Sequence, residues 1–218
     1  MKKKRNGLFS YSEKIAVAVI GIFHLAGIIL LNWSTGFLYS LALDFVPINL
    51  ILTSLIVVKF QTEFTGRFWT FSIIAILSGF FVEMAGVNTG LIFGHYQYGD
   101  VLGPGILGTP WIIGLNWFLL SYCTLCLLDF FSWPAWVKFF LATGLMVGLD
   151  YLMEPVAMRL GFWSWEGGNI PVQNYLGWAG LSALIFLQPF INSFPRRNRV
   201  AASAFIIQVL FFLLQNIF

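Results

Sequence analysis

The chain has 218 residues, of which 59% are hydrophobic and only 10% charged, with a net charge of +3 and a mean hydropathy of +0.84. That balance excludes a soluble globular domain and a disordered segment. No basic patch interleaved with aromatics accompanies the small positive charge, which excludes a nucleic-acid-binding module.

In chain order, apolar stretches at 14–31, 37–58, 69–87, 109–128, 135–154, 174–191 and 200–217 each approach the roughly 20 residues that cross about 30 Å of hydrocarbon. A membrane β-barrel would show alternating segments of ~10 residues instead. The predicted fold class is all-α: a polytopic membrane helix bundle of seven spans, with residues 1–218 forming one integral membrane domain. The first span follows a basic segment as a signal peptide would. It is too long and lacks a small-residue cleavage site, so it is read as a retained anchor.

Orientation follows from the cations. Lys2, Lys3, Lys4, Arg5 and Lys14 precede or open the first span; Lys59, Arg67, Lys138, Arg196, Arg197 and Arg199 fall in alternate connections, and only Arg159 falls on the other side. Eleven of the twelve Lys and Arg residues therefore obey the positive-inside rule for a cytoplasmic N-terminus in the cytoplasmic (inner) membrane.

Two long connections carry unusual chemistry, and both belong to the extracytoplasmic side on this topology. Residues 88–108 and 158–171 are rich in Gly and aromatics. The alternation Tyr96/Tyr98 and Trp163/Trp165 predicts short extended pieces with one face buried, folded as lids onto the helix ends. The two regions also resemble each other. Glu83, Gly90, Phe93-Gly94, Tyr96, Tyr98, Pro110 and Asn116-Trp117 run parallel to Glu154, Gly161, Phe162, Trp163, Trp165, Pro171, Asn174 and Trp178. Such a repeat would set two acids around a pseudo-twofold axis.

Three carboxyls stand at or just inside the ends of apolar spans on that side: Glu83, Asp150 and Glu154. Asp150 and Glu154 are spaced i, i+4 and so share one helix face, with Pro155 predicted to end that helix. Acids in lipid are costly, so all three are expected to face the bundle interior and to form an acid site. Asp44 and Asn116 are expected at similar depth. His24 is expected to hydrogen-bond another helix. Cys123 and Cys126 form a C-x-x-C without a second ligand pair and read as packing residues rather than a metal site. Asp100, Glu166, Asp129 and Glu63 read as solvated, with Arg159 an alternative partner for Glu154 or Glu166.

The run Glu83…Phe93-Gly-His-Tyr-Gln-Tyr98…Gly103-Pro104…Gly108-Thr-Pro110…Asn116-Trp117, followed by Asp150-Tyr-Leu-Met-Glu154-Pro155, Gly161-Phe-Trp-Ser-Trp165 and Ile170-Pro171…Asn174…Gly177-Trp178, resembles the membrane carotenoid hydratase family, the bisanhydrobacterioruberin hydratase and carotenoid 1,2-hydratase type of carotenoid biosynthesis protein. The likeness covers roughly residues 80–180. It implies addition of water across the terminal C1–C2 double bond of an acyclic carotenoid, without a redox cofactor. It also implies a carotenoid substrate and the lipid bilayer as partners; self-association, or association with other carotenoid enzymes, is left open. Hydration needs a proton at C2, a wall that tolerates the tertiary cation at C1, and a base for the attacking water. Glu83, Asp150 and Glu154 are the candidate catalytic groups, with Glu154 or Asp150 favoured as donor. Tyr96, Tyr98, His95, Asn116, Trp117, Trp163, Trp165, Asn174 and Trp178 are the candidate substrate-binding groups. No metal and no other cofactor is expected, since neither a conforming G-x-G-x-x-G nor an H-E-x-x-H is present. A carotenoid cyclase, a proton-coupled transporter and a non-catalytic scaffold are the competing readings.

Overall fold

The computed structural model describes residues 9–218; Lys2, Lys3, Lys4 and Arg5 lie outside the described residues. Seven helices are present among them: α1 Tyr11–Trp33, α2 Phe37–Lys59, α3 Gly66–Thr89, α4 Ile112–Leu128, α5 Ala135–Arg159, α6 Val172–Ile191 and α7 Arg199–Ile217. Five of these, α1, α2, α3, α5 and α7, are long and apolar enough to cross a membrane, and α4 is apolar but only 17 residues long. The protein is a multi-pass membrane helix bundle, as its composition demands.

Local chemistry sets the helix ends. Ser10 and Glu13 close a reciprocal capping box on α1, Thr65 caps α3 and Asn198 caps α7, each satisfying amide donors that a helix N-terminus leaves open. Two predicted boundaries move. Helix α5 does not stop at Pro155 but continues to Arg159, because the buried neighbours Glu154, Val156 and Ala157 hold the helix through the lost amide bond and the ring clash that a proline brings. Thr109–Pro110 does not open α4. It forms a strand paired with Gly105–Ile106, so α4 begins at Ile112.

Helices α3 and α4 approach closely because Gly79 and Gly114 face the seam between them. A Cβ at Gly79 would lie 2.5 Å from Trp117 Cβ, and one at Gly114 would lie 2.7 Å from the Ile76 carbonyl. Small residues play this part in membrane bundles, where close van der Waals packing drives helix association. Gly79→Val is expected to force the two helices apart and destabilise the protein by about 1–3 kcal/mol, measured as a lower midpoint of thermal unfolding in detergent.

At one end of the bundle the two long connections meet. Strand β1 (Tyr96–Tyr98) pairs antiparallel with β4 (Trp163–Trp165), in the register Tyr96↔Trp165, Gln97↔Ser164 and Tyr98↔Trp163. Gly105–Ile106 (β2) and Thr109–Pro110 (β3) form a second small ribbon. The amide of Gly99 donates to Phe162 O and that of Glu166 to His95 O. No side chain fits at Gly99, whose Cβ would lie 2.2 Å from Gly161 O. The predicted lids are therefore one two-stranded cover, shared by both loops.

At the opposite end Asp129 lies 3.4 Å from Lys138 and 3.5 Å from Arg196, so it is ion-paired rather than merely solvated. Tyr122 donates to Gln61, and Asn198 donates to both Tyr122 and the Val57 carbonyl. Cys123 and Cys126 are buried free thiols, in keeping with a packing role.

Candidate active site

The cover aims four aromatic side chains into the bundle. Strand geometry sends alternate residues to opposite faces, so Tyr96 and Tyr98 point inward with Trp163 and Trp165, while Gln97 and Ser164 point out. Cross-strand partners touch: Tyr96 lies against Trp165 at 4.9 Å between ring centroids and Tyr98 against Trp163 at 5.9 Å.

Each strand serves the acid of the helix that precedes it. Glu83, on α3 and 5% exposed, accepts hydrogen bonds at Oε2 from the Tyr96 hydroxyl and, at 2.9 Å, from the Tyr98 hydroxyl, and at Oε1 from Trp117 Nε1 at 3.0 Å. Glu154, on α5 and 2% exposed, accepts at Oε2 from Trp163 Nε1 at 2.8 Å and Trp165 Nε1 at 2.7 Å, and at Oε1 from Asn174 Nδ2 at 3.0 Å. The two half-sites share one plan: an acid near the end of a helix, two aromatic donors two residues apart on the next strand, and one donor from the returning helix. Trp117 and Trp178, from the two returning helices, close the pair at 4.2 Å between ring centroids. The repeat expected from the sequence is present as geometry.

An indole N–H only donates, so the oxygens facing Trp117, Trp163 and Trp165 are acceptors. Burial, and next the charge of Glu83, push the Tyr96 and Tyr98 phenols up from the ordinary phenol range; both stay O–H donors well above neutral pH. Tyr98→Phe removes one of the three bonds to Glu83 and is expected to cost about 1.5–3 kcal/mol, read as a lower unfolding midpoint with the fold retained.

Asp150 occupies a different position. It is fully buried and receives one hydrogen bond, from Asn174 Nδ2 to Oδ2 at 2.7 Å, while its Oδ1 has no hydrogen-bond partner among the described residues. The single Asn174 amide nitrogen thus bridges Asp150 and Glu154.

Between the half-sites lies a cavity of about 20 Å³ lined by Glu83, Glu154, Asn116, Asn174 and the aromatic residues of the cover, room for about one water molecule. Asn116 makes no hydrogen bond among the described residues, so its amide is available to a guest. A second, apolar cavity of about 360 Å³ adjoins the first: Ile113, Asn116, Met153 and Trp163 line both. It follows α2 from Leu41 to Thr53, about 18 Å at the helical rise.

A model of the family described as "Carotenoid biosynthesis protein" matches residues 45–218. The chain belongs to the carotenoid biosynthesis protein family. A curated relative, bisanhydrobacterioruberin hydratase of Haloarcula japonica, is 32% identical over 123 residues, which are 53% of this chain and 42% of the relative; the match thus spans less than half of that protein. No solved structure matches the chain.

Within this family member the structure gathers most of the predicted site residues and moves a few away. Glu83, Glu154, Tyr96, Tyr98, Asn116, Trp117, Trp163, Trp165, Asn174 and Trp178 all line the small cavity. Asp150 sits behind Asn174, off the cavity wall. His95 does not join the site: it is exposed and its ring lies over Gly90, because it has the same strand parity as Gln97 and the opposite parity to Tyr96. Asp44 faces outward from α2. Arg159 reaches neither Glu154 nor Glu166; it donates to the Gln215 carbonyl and side chain at the end of α7. His24 bonds the Ile20 carbonyl of its own helix and meets α7 through an edge contact with Phe211, with no hydrogen bond to another helix among the described residues. Phe93, Ile113 and Met153 complete the cavity wall and were not anticipated. Met153 was detectable, since it stands i+3 from Asp150 on the same helix face. Among the described residues no three His, Cys, Asp or Glu side chains converge to hold a metal ion.

Proposed function

We propose that the protein adds water across the terminal C1–C2 double bond of an acyclic carotenoid. The observation that carries this reading is the pair of buried glutamates on the wall of a water-sized cavity that shares wall residues with a larger apolar one. The relative's name points to the same chemistry. A polyene lies along α2 in the apolar cavity and presents its end group to the acids.

Asp150 and Glu154 both lie within hydrogen-bond reach of one amide nitrogen, and two carboxyls so close do not both ionise. The pair therefore retains a proton, which Glu154, the member on the cavity wall, delivers. Glu83, whose three donors are shared with no other carboxyl, is assigned as the base.

The alkene π electrons form a bond from C2 to the Glu154 proton, leaving a tertiary cation at C1. Water held by Asn116 attacks C1, and Glu83 removes its proton. Passing that proton back to Glu154 restores the site, and the net change is one water added. The faces of the surrounding Tyr and Trp rings stabilise the cation by about 0.5–2 kcal/mol per contact. Asp150 is a positioning residue, acting through Asn174.

We place the protein in the cytoplasmic membrane with its N-terminus inside and the acid site at the extracytoplasmic end. Lys59, Arg67, Lys138, Arg196, Arg197 and Arg199 cluster at the end of the bundle away from the acids, as the positive-inside rule requires for that orientation.

Expression in cells that make lycopene tests the activity. The expected result is a pigment heavier by one water per reacted end, carrying a tertiary hydroxyl. Unchanged lycopene would remove the hydratase reading, and a ring-closed isomer would replace it with cyclisation.

A further inference from the structure

Helices α1 and α7 lie side by side and run in the same direction: Asn32, near the end of α1, donates to Gln215, near the end of α7, at 3.1 Å. Eight residues before Asn32 stands His24, and seven before Gln215 stands Gln208, each two turns back along its helix. The outer pair closes on itself, as polar residues that join membrane helices do. The inner pair does not. Gln208 makes no hydrogen bond among the described residues, and its Oε1 is sealed from solvent.

His24 and Gln208 both line the apolar cavity, and so does Asn49 of α2. His24 Nδ1 lies 2.8 Å from the Ile20 carbonyl. A carbonyl only accepts, so Nδ1 carries the hydrogen and Nε2 of the neutral ring is left as an acceptor. Asn49 Oδ1 accepts from Thr53 at 3.4 Å, while no bond among the described residues uses its Nδ2 donor. Three helices thus bring acceptors and amide donors without partners to the wall of one largely apolar chamber. Polar groups at membrane depth are costly, and they mark the path of a ligand.

By helical rise His24, Asn49 and Gln208 stand about 14–18 Å from the outer ends of their helices, whereas Glu83 and Glu154 stand about 7–9 Å from theirs. A bare hydrocarbon at the deeper level would leave every one of these groups unpaired. A carbonyl or ether oxygen would serve the amide donors alone. A hydroxyl donates and accepts, and so serves both kinds.

We infer that His24, Asn49 and Gln208 bind a hydroxyl group carried by the polyene, about 5–10 Å deeper in the membrane than the double bond that is hydrated. The hydroxyl donates to His24 Nε2 or Gln208 Oε1 and accepts from Asn49 Nδ2. The preferred substrate is then an acyclic polyene that already bears a hydroxyl. This rests on the polyene occupying the apolar cavity, as proposed above.

Binding of three small probes by the purified protein in detergent micelles tests this, with concentrations expressed as mole fraction in the micelle. Tryptophan fluorescence is the readout, Trp163 being on the cavity wall. Geraniol has a trisubstituted terminal alkene and a hydroxyl at a comparable distance from it. Its methyl ether accepts but cannot donate, and the corresponding hydrocarbon does neither. The expected result is at least tenfold tighter binding of geraniol than of either analogue, with that preference lost in Gln208→Leu and in Asn49→Leu. Equal binding of all three probes, which would leave the polar set to water alone, equal binding of alcohol and ether, or a preference intact in either variant would each overturn the proposal. Lycopene hydration by the unaltered protein is measured alongside. A hydroxyl preference without hydration keeps this subsite and removes the hydratase reading, and hydration without the preference does the reverse.

Discussion

Glu154→Gln is expected to abolish hydration, with a loss of at least about 10²-fold in product formation. The amide keeps the shape of the side chain and can still accept from Trp163 and Trp165, so the cover remains seated and folded protein is recovered. What disappears is the only proton on the cavity wall that belongs to the Asp150–Glu154 pair. The check is made in D₂O with the purified enzyme. The variant returns its alkene without deuterium at C2, because the first C–H bond never forms. Normal deuterium uptake would move the donor's role to another group.

Glu83→Gln is expected to cause a loss of similar size, at least about 10²-fold in hydrated product, but by a different route. Here the proton is still delivered and the cation still forms, while the base that activates water is missing. A tertiary cation without a nucleophile loses a proton from a neighbouring carbon. The expected readout in D₂O is therefore recovered alkene that carries deuterium, including double-bond isomers. The contrast between the two variants separates donor from base, which a simple loss of activity in both would not do. Alkene free of deuterium from Glu83→Gln would reverse the two assignments.

The acids were legible because their position is a matter of counting along a chain. Glu83 stands near the end of an apolar run, and Asp150 and Glu154 share a face by virtue of the 3.6-residue turn. The inward parity of Tyr96, Tyr98, Trp163 and Trp165 was legible too, because strand side chains alternate. The same parity rule places His95 on the outer side, next to Gln97; its neighbourhood in sequence was misleading, and the alternation was the better guide. Asp44 shows the limit of a depth count. Rise per residue gives distance along the helix axis, but which side of α2 turns inward is decided by what packs on Ala42, Thr53 and Val57. Arg159 was similarly open, since its reach allowed several partners and the end of α7 supplied the one it has.

The amino-acid sequence by itself determined that this is a membrane helix bundle, that its acids lie toward one end, and that two aromatic segments lie over them. These properties follow from hydropathy, helical rise and strand alternation, all of which act within a few neighbouring residues. Only the tertiary structure decided that each glutamate is held by the aromatics of its own loop, that Asn174 ties Asp150 to Glu154, and that a water-sized cavity meets an apolar one at Asn116. Those outcomes depend on the register Tyr96↔Trp165 and on the close packing of α3 against α4 at Gly79. They join groups from 13 to 34 residues apart around Glu83, a separation at which no local periodicity says which side chains meet.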